Sequence, residues 1–333
     1  MGHITFGVEL EAAFFYSSKP DHNTDSESRN TNYARVVDMS FEAIRSRDPN
    51  SARPTCEREY IVEMMKLVAR TINNFVDRLP HTYRGRVVSY TGKPELDWYR
   101  RWRVETDSSI VLDKADYDNL DFAGLEIQSP AMYATHGASR EIKAVTNMLR
   151  VNFRTAVPHS CGLHVHVGAG FDFLPLETLR KLAAICWAGD HLLHRMHSQC
   201  RRHNGYCLGP RIKSKLAYGR KAGHYNPPYD LPHPLPSVRH HYMSPIEHEI
   251  HTRAIYSELM FNEPFEEVHG INVMSGSLEL LLCRSRNAVA CLMDTDLRGA
   301  YNFDHYGDFD KETKDDTKRT VEFRQADGSM DGD

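Results

Sequence analysis

ITFGVELEAAFF, residues 4–15, alternates with a period of two. Ile4, Phe6, Val8 and Leu10 fall on one side, and Thr5, Gly7, Glu9 and Glu11 on the other, as in a strand with one face on a core. The same rhythm returns in AGLEIQSP (123–130), GLHVHVG (162–168) and RTVEFRQADGS (319–329). Between these runs lie stretches of helical period. In 57–79, Ile61, Met64, Val68, Ile72, Phe75 and Leu79 recur at three- and four-residue steps. Ser139 is expected to cap a second helix running to about Ala156, with Ile142, Val145, Leu149 and Phe153 on its buried stripe. A third is expected from Leu176 to about Arg201, opened by Pro175.

RGRVVSYTG (84–92), WRVETDSSIVL (102–112), INVMSG (271–276) and SLELLLCRS (277–285) read as further strands. A polar stretch at about 17–55 reads as an insertion with a helix around Tyr33–Arg45. Residues 209–250, rich in Pro, His, Tyr and basic side chains, read as a long irregular functional loop region. Strands and helices mix without a strict βαβ order, so an α+β fold with a mainly antiparallel sheet is expected, in a single domain spanning 1–333.

Composition narrows the function. Lys+Arg 41 against Asp+Glu 45 gives a net charge of −4, which offers no general attraction to nucleic acid or anionic lipid. No uncharged apolar run approaches the ~20 residues of a membrane span. The beginning of the chain lacks a basic segment ahead of an apolar one. The 7 cysteines are odd in number and contain no CxxC pair, so reduced thiols in a cytoplasmic protein are expected.

The polar faces of the four alternating strands concentrate chemistry. Glu9 with Glu11, Glu126, His164 with His166, and Glu322 with Arg324 each sit among apolar neighbours. Taken singly, each has a bland explanation: a solvated strand face, a satisfied histidine pair, a cross-strand ion pair. Gathered in one pocket, the carboxylates would repel one another unless cations lay between them. Oxygen ligands with one imidazole suit Mg²⁺ or Mn²⁺. Asp107, in ETDSSI, is either a proton acceptor or a turn-former bonding its own backbone.

In order, GVELE (7–11), DSSI (107–110) with GLEIQSP, SCGLHVHVG (160–168) and RTVEFRQADGSMD (319–331) resemble the amidoligase family. That family belongs with the glutamine synthetase and γ-glutamylcysteine synthetase superfamily of ATP-dependent carboxylate–amine ligases. CRRHNGYC (200–207) and AYNF (300–303) look like further landmarks of it. The resemblance runs from residue 6 to residue 330. It implies a glutamine-synthetase-like catalytic fold, a curved sheet with helices on its outer face. It also implies an activity in which ATP converts a carboxylate to an acyl phosphate that an amine attacks, with ATP and Mg²⁺ (or Mn²⁺) as cofactors.

By the same resemblance, Glu9, Glu11, Glu126 and Glu322 match metal ligands and His164 the imidazole ligand. His166, and Arg201 or Arg202, match nucleotide or phosphate contacts. Arg324 matches the arginine that stabilises the transferred phosphoryl group, and Asp107 is the candidate for handling the amine's proton. The partners implied are small-molecule or peptide carboxylates and amines. Asp190 stands where the family leads one to expect glutamate, and family members are expected to continue into a helix beyond Met330–Asp333. Two other classes compete: a metal-dependent oxygenase or hydrolase using His164, His166 and one glutamate, and a non-catalytic scaffold binding through 209–250.

Overall fold

The computed structural model describes residues 4–18, 35–83, 85, 100–117, 120–170, 172–202, 204–225, 271–295, 299–307 and 319–330. The chain divides into two compact units, one of residues 1–173 with 313–333 and the other of residues 174–312. The fold class is α+β, with a large antiparallel sheet in the first unit.

The alternating N-terminal run forms β1 (Thr5–Ser17), the centre of that sheet. β2 (Val37–Asp38) runs parallel to its far end. Its other strands within the first unit are β3 (Arg103–Thr106), β4 (Asp121–Gln128), β5 (Met132–Tyr133), β6 (Thr155–Ala156), β7 (Gly162–Gly168) and β8 (Thr320–Asp327). The main path is β3-β4-β1-β7-β8, antiparallel throughout. β1 is longer than its neighbours, so β5 pairs with Thr5 and Phe6, and β6 with Ala13 and Phe14.

Val8, Leu10, Ala12, Phe14 and Tyr16 form one face of β1 and meet Ala123, Leu125 and Ile127 of β4 in the main core. Helices α1 (Phe41–Arg47), α2 (Glu57–Val76) and α3 (His136–Asn152) contribute to that core, α2 through Met64, Val68 and Ile72 at four-residue steps. Burying this apolar stripe is what makes the helices stable. Beyond Glu11 the opposite face of β1 also turns apolar. Ala13 and Phe15 join Ile110, Ala156 and Cys161 in a smaller cluster, with Tyr117 against the Phe15 ring at 5.1 Å.

Several expectations need correction. α3 starts a turn earlier than Ser139: Thr135, with extended backbone, is its cap, and its side chain accepts from the Ala138 amide at 3.3 Å. The expected helix at Tyr33–Arg45 begins at Phe41, because Ser40 caps it and Val37–Asp38 are drawn into the sheet; Tyr33 lies outside the described residues. WRVETDSSIVL yields only β3, since the chain turns at Asp107. Most of RGRVVSYTG lies outside the described residues.

In the second unit, α4 (Leu176–Ala188) starts at Pro175 as expected but stops at Gly189. There a new short helix, α5 (Asp190–Arg195), begins, followed by α6 (Gln199–Arg202), so the single helix to Arg201 is three pieces. Residues 209–225 include α7 (Pro210–Lys213) and bury Leu216, Ala217 and Ala222; this part of the expected loop region is packed, and 226–250 lie outside the described residues. INVMSG and SLELLLCRS form no strands: Val273–Leu281 is helix α8, followed by α9 (Arg286–Met293). The Asn272 side chain accepts from the Ser275 amide at 2.8 Å and starts α8. Gly276 lies against Trp187 of α4, where a Cβ would approach the indole to 2.2 Å. A short apolar run is ambiguous by periodicity, and the cap and this packing decide it. None of the seven cysteines forms a disulfide. Among the described residues, no helix is long and apolar enough to cross a membrane.

Candidate active site

Leu10 points into the core, so Glu9 and Glu11 emerge on the other face of β1. Residues paired across strands share a face, so the register carries that orientation outward. Three rungs result. In the first, Glu105 pairs with Glu126 and Glu126 with Glu11. In the second, Arg103 pairs with Gln128, Gln128 with Glu9, and Glu9 with His164. In the third, Gly7 pairs with His166 and His166 with Glu322. A register shift between Leu163 and Val165 sets both Arg324 and Gln325 opposite His164, a bulge that delivers the guanidinium to the same place.

The side chains converge. His164 Nδ1 lies 3.4 Å from Glu9 Oε2 and 3.5 Å from Glu322 Oε1, while its Nε2 lies 3.3 Å from Glu11 Oε1. His166 Nε2 is 2.9 Å from Glu9 Oε1, and its Nδ1 is 3.0 Å from Thr320 Oγ1. Arg324 Nη1 donates to Glu322 Oε1 and lies 3.4 Å from His164 Nδ1. The Gly162 amide donates to Glu11 Oε2 at 2.7 Å. Glu9, Glu11, His164, His166, Glu322 and Arg324 are all buried. Of the first unit's own residues, two groups have ligand atoms within 4.8 Å of one another: Glu9, His164 and Glu322, and Glu11, Glu126 and His164.

Electrostatics bear out the crowding. Burial, together with Asp107 and Glu126, raises the Glu11 carboxyl to about 7, against the Gly162 hydrogen bond and the Arg324 charge. Burial also acts to raise Glu322, but the Arg324 guanidinium and the two histidines outweigh it and hold the group below its ordinary value. Burial and the Arg324 charge lower His164, so a neutral imidazole with a lone pair is favoured. Buried carboxylates gathered on one imidazole are the donor set of a hard divalent cation.

All the strand residues singled out in the sequence are thus brought together within the first unit. Asp107 sits at the turn after β3, half-buried. Its Oδ1 accepts from the Ser109 amide at 2.8 Å, the turn-forming role, while its charge still acts on Glu11. Arg201 and Arg202 lie on α6 in the second unit, Arg201 buried there.

Three neighbours escaped the sequence reading. Gln128 donates to Glu126 Oε1 at 2.5 Å, Glu105 stands opposite Glu126 with Arg103 donating to it at 2.6 Å, and Thr320 meets His166. Gln128 and Thr320 each lie two residues from a singled-out glutamate, so extending the period-two count by one step finds them. No curated protein and no solved structure matches the chain. The family described as "Putative amidoligase enzyme" matches residues 3–230, and the chain belongs to that amidoligase family.

Proposed function

We propose that this protein is an ATP- and Mg²⁺-dependent carboxylate–amine ligase with a glutamine-synthetase-like catalytic fold. ATP phosphorylates a substrate carboxylate; the amine attacks the acyl phosphate, giving an amide, ADP and phosphate. The observation that carries the reading is the pair of three-residue ligand groups that share His164, with Arg324 hydrogen-bonded among them. A neutral imidazole has one lone pair, so His164 serves one group and the other holds its cation through two carboxylates. Divalent cations there would screen the phosphate charges and polarise the γ-phosphoryl group.

The chain's own residues have matching roles. Glu9, Glu11, Glu126, Glu322 and His164 hold the cations. Arg324 donates to the phosphoryl oxygens as charge spreads over them, and His166 contacts nucleotide or phosphate at the same face. Asp107 holds the incoming ammonium or takes its proton. Arg201 or Arg202 contacts phosphate or the substrate carboxylate through a planar fork. A cytoplasmic setting, rich in ATP and Mg²⁺, suits this chemistry.

The oxygenase or hydrolase reading requires His164 and His166 on one ion, yet both groups that contain His164 omit His166. The test is phosphate release from ATP with Mg²⁺ and pools of amino acids, peptides and amines. Release that depends on both a carboxylate and an amine is the expected result. Turnover without ATP, supported by Fe²⁺ or Zn²⁺, would overturn it.

A further inference from the structure

We infer that Ser160 is a positioning residue of the amine subsite: its hydroxyl, with the bare backbone of Gly124, holds the turn at 107–111 over the end of the polar face, so that the Asp107 carboxylate meets the incoming amine near Glu11. This inference rests on the proposed ligase reading. Gly124 lies opposite Ala13 on β1 and two residues before Glu126, so it belongs to the polar face. The Asp107 amide donates to its carbonyl at 2.9 Å, one step beyond the Thr106–Leu125 pair. A Cβ on Gly124 would lie 2.6 Å from the Asp107 carbonyl oxygen and 3.1 Å from Ile110 Cβ. The chain therefore folds directly onto the glycine, and Ile110 is buried there with Ala13, Phe15, Ala156 and Cys161.

Ser160 closes the other side of the turn. Its Oγ accepts from the Val111 amide at 3.0 Å and donates to the Val111 carbonyl at 3.3 Å. Two residues later the Gly162 amide donates to Glu11 Oε2 at 2.7 Å, and between them the Cys161 amide closes a turn on the Pro158 carbonyl at 2.9 Å. The entry to β7 thus grips both Glu11 and the turn that carries Asp107. Asp107 Oδ1 is taken by the Ser109 amide, while among the described residues none donates to Oδ2. That oxygen is on a half-buried side chain whose charge acts on Glu11, so it suits a cation bearing N–H donors, the ammonium form of the amine. Placement decides its effect, since a shift of ~1 Å in a group that orients a reactant can cost ~10²-fold.

The test uses the full chain, wild type and the variants Ser160→Ala, Ser160→Thr and Gly124→Ala. Amide hydrogen exchange, which needs no ligand, should be faster over 107–111 in Ser160→Ala and normal in Ser160→Thr, which keeps the hydroxyl. With ATP, Mg²⁺ and the pooled carboxylates, hydroxylamine traps an acyl phosphate: its nitrogen attacks the acyl carbon, phosphate leaves and a hydroxamate forms. Hydroxylamine is uncharged at neutral pH and needs no ammonium site. Ser160→Ala should leave hydroxamate formation unchanged, yet raise by ~10-fold the amount of the amine pool needed for half-maximal phosphate release. Gly124→Ala should give the same split from the other side of the turn. In an Asp107→Asn background Ser160→Ala should add nothing, because it acts through that carboxylate. Unchanged exchange, an unchanged amine requirement, or equal loss of both reactions would overturn the inference. A wild type that makes no hydroxamate and releases no phosphate refutes the ligase reading itself, a result distinct from the exchange measurement.

Discussion

At the scale of the residue, Arg324 and Glu11 carry opposite electrostatic tasks. Arg324 sits between Glu322 and His164. A planar guanidinium there can donate two hydrogen bonds to a phosphoryl group, whereas an ammonium is a point charge. Arg324→Lys should therefore lower turnover by ~10²-fold or more, with ATP affinity changed far less, since the contact strengthens in the transition state. Lysine keeps the charge that compensates buried Glu322, so the variant should stay folded. A thermal melt beside a turnover assay checks this: lost stability with unchanged turnover would make the arginine structural.

Glu11 is protonated more readily in the folded chain than in the unfolded one. Between the ordinary carboxyl value and about 7, the folded state binds the extra proton, so stability of the metal-free protein falls as pH rises through that window. A rise from 4.5 to about 7 corresponds to on the order of 3 kcal/mol. Glu322, held low, acts in the reverse sense: its contribution is present at neutral pH and is lost on acidification. Glu11→Gln isolates the first effect. In thermal melts without metal, it should be more stable than wild type at pH 8 and lose that advantage near pH 5. Mn²⁺ should stabilise the wild type more at pH 8 than at pH 5 and should stabilise the variant less. An advantage of Glu11→Gln that is the same at both pH values would contradict the assignment.

At the scale of the element, caps and close approaches decided what apolar pattern left open. Residues 271–285 carry Val273, Leu278, Leu280, Leu281 and Leu282, enough for a buried strand or a short helix. The Asn272 cap and the Gly276–Trp187 approach select the helix. Gly276→Ala should thus cost ~1–3 kcal/mol in chemical denaturation, by overpacking against the indole, although alanine is the better helix former. A neutral or stabilising effect would mean that α8 and α4 do not pack in this way. The break at Gly189 is of the same kind: its amide donates to the Ile185 carbonyl of α4 while its own carbonyl accepts from the Leu192 and Leu193 amides of α5, and nothing in the local hydrophobic count signals that hand-over. The displaced cap of α3 shows a different ambiguity, since Thr135 and Ser139 are both competent caps and only the extended backbone at Thr135 distinguishes them.

At the scale of the whole molecule, alternation alone determined that Glu9, Glu11, Glu126, His164, His166, Glu322 and Arg324 lie opposite apolar neighbours on their strands. The period of a strand is two, and Leu10 and Leu125 had to be buried, with Val165 packed against the same core. The α+β class and the stripes of the two helices at 57–79 and 139–156 followed from the same bookkeeping of faces, and the ordered motifs announced the family membership. Tertiary structure alone decided which strands are neighbours. Residues 9 and 322 are far apart in sequence, and only the path β4-β1-β7-β8, with its exact-to-the-residue registers and the bulge at Arg324, turns four separate polar faces into one ligand group. The division into two units and the contact of Thr320 with His166 are likewise decided by long-range pairing, whereas the turn at Asp107 is local, closed by the Ser109 amide. The physical reason is that side-chain direction is a local property of the backbone, whereas proximity depends on how distant segments close against one another.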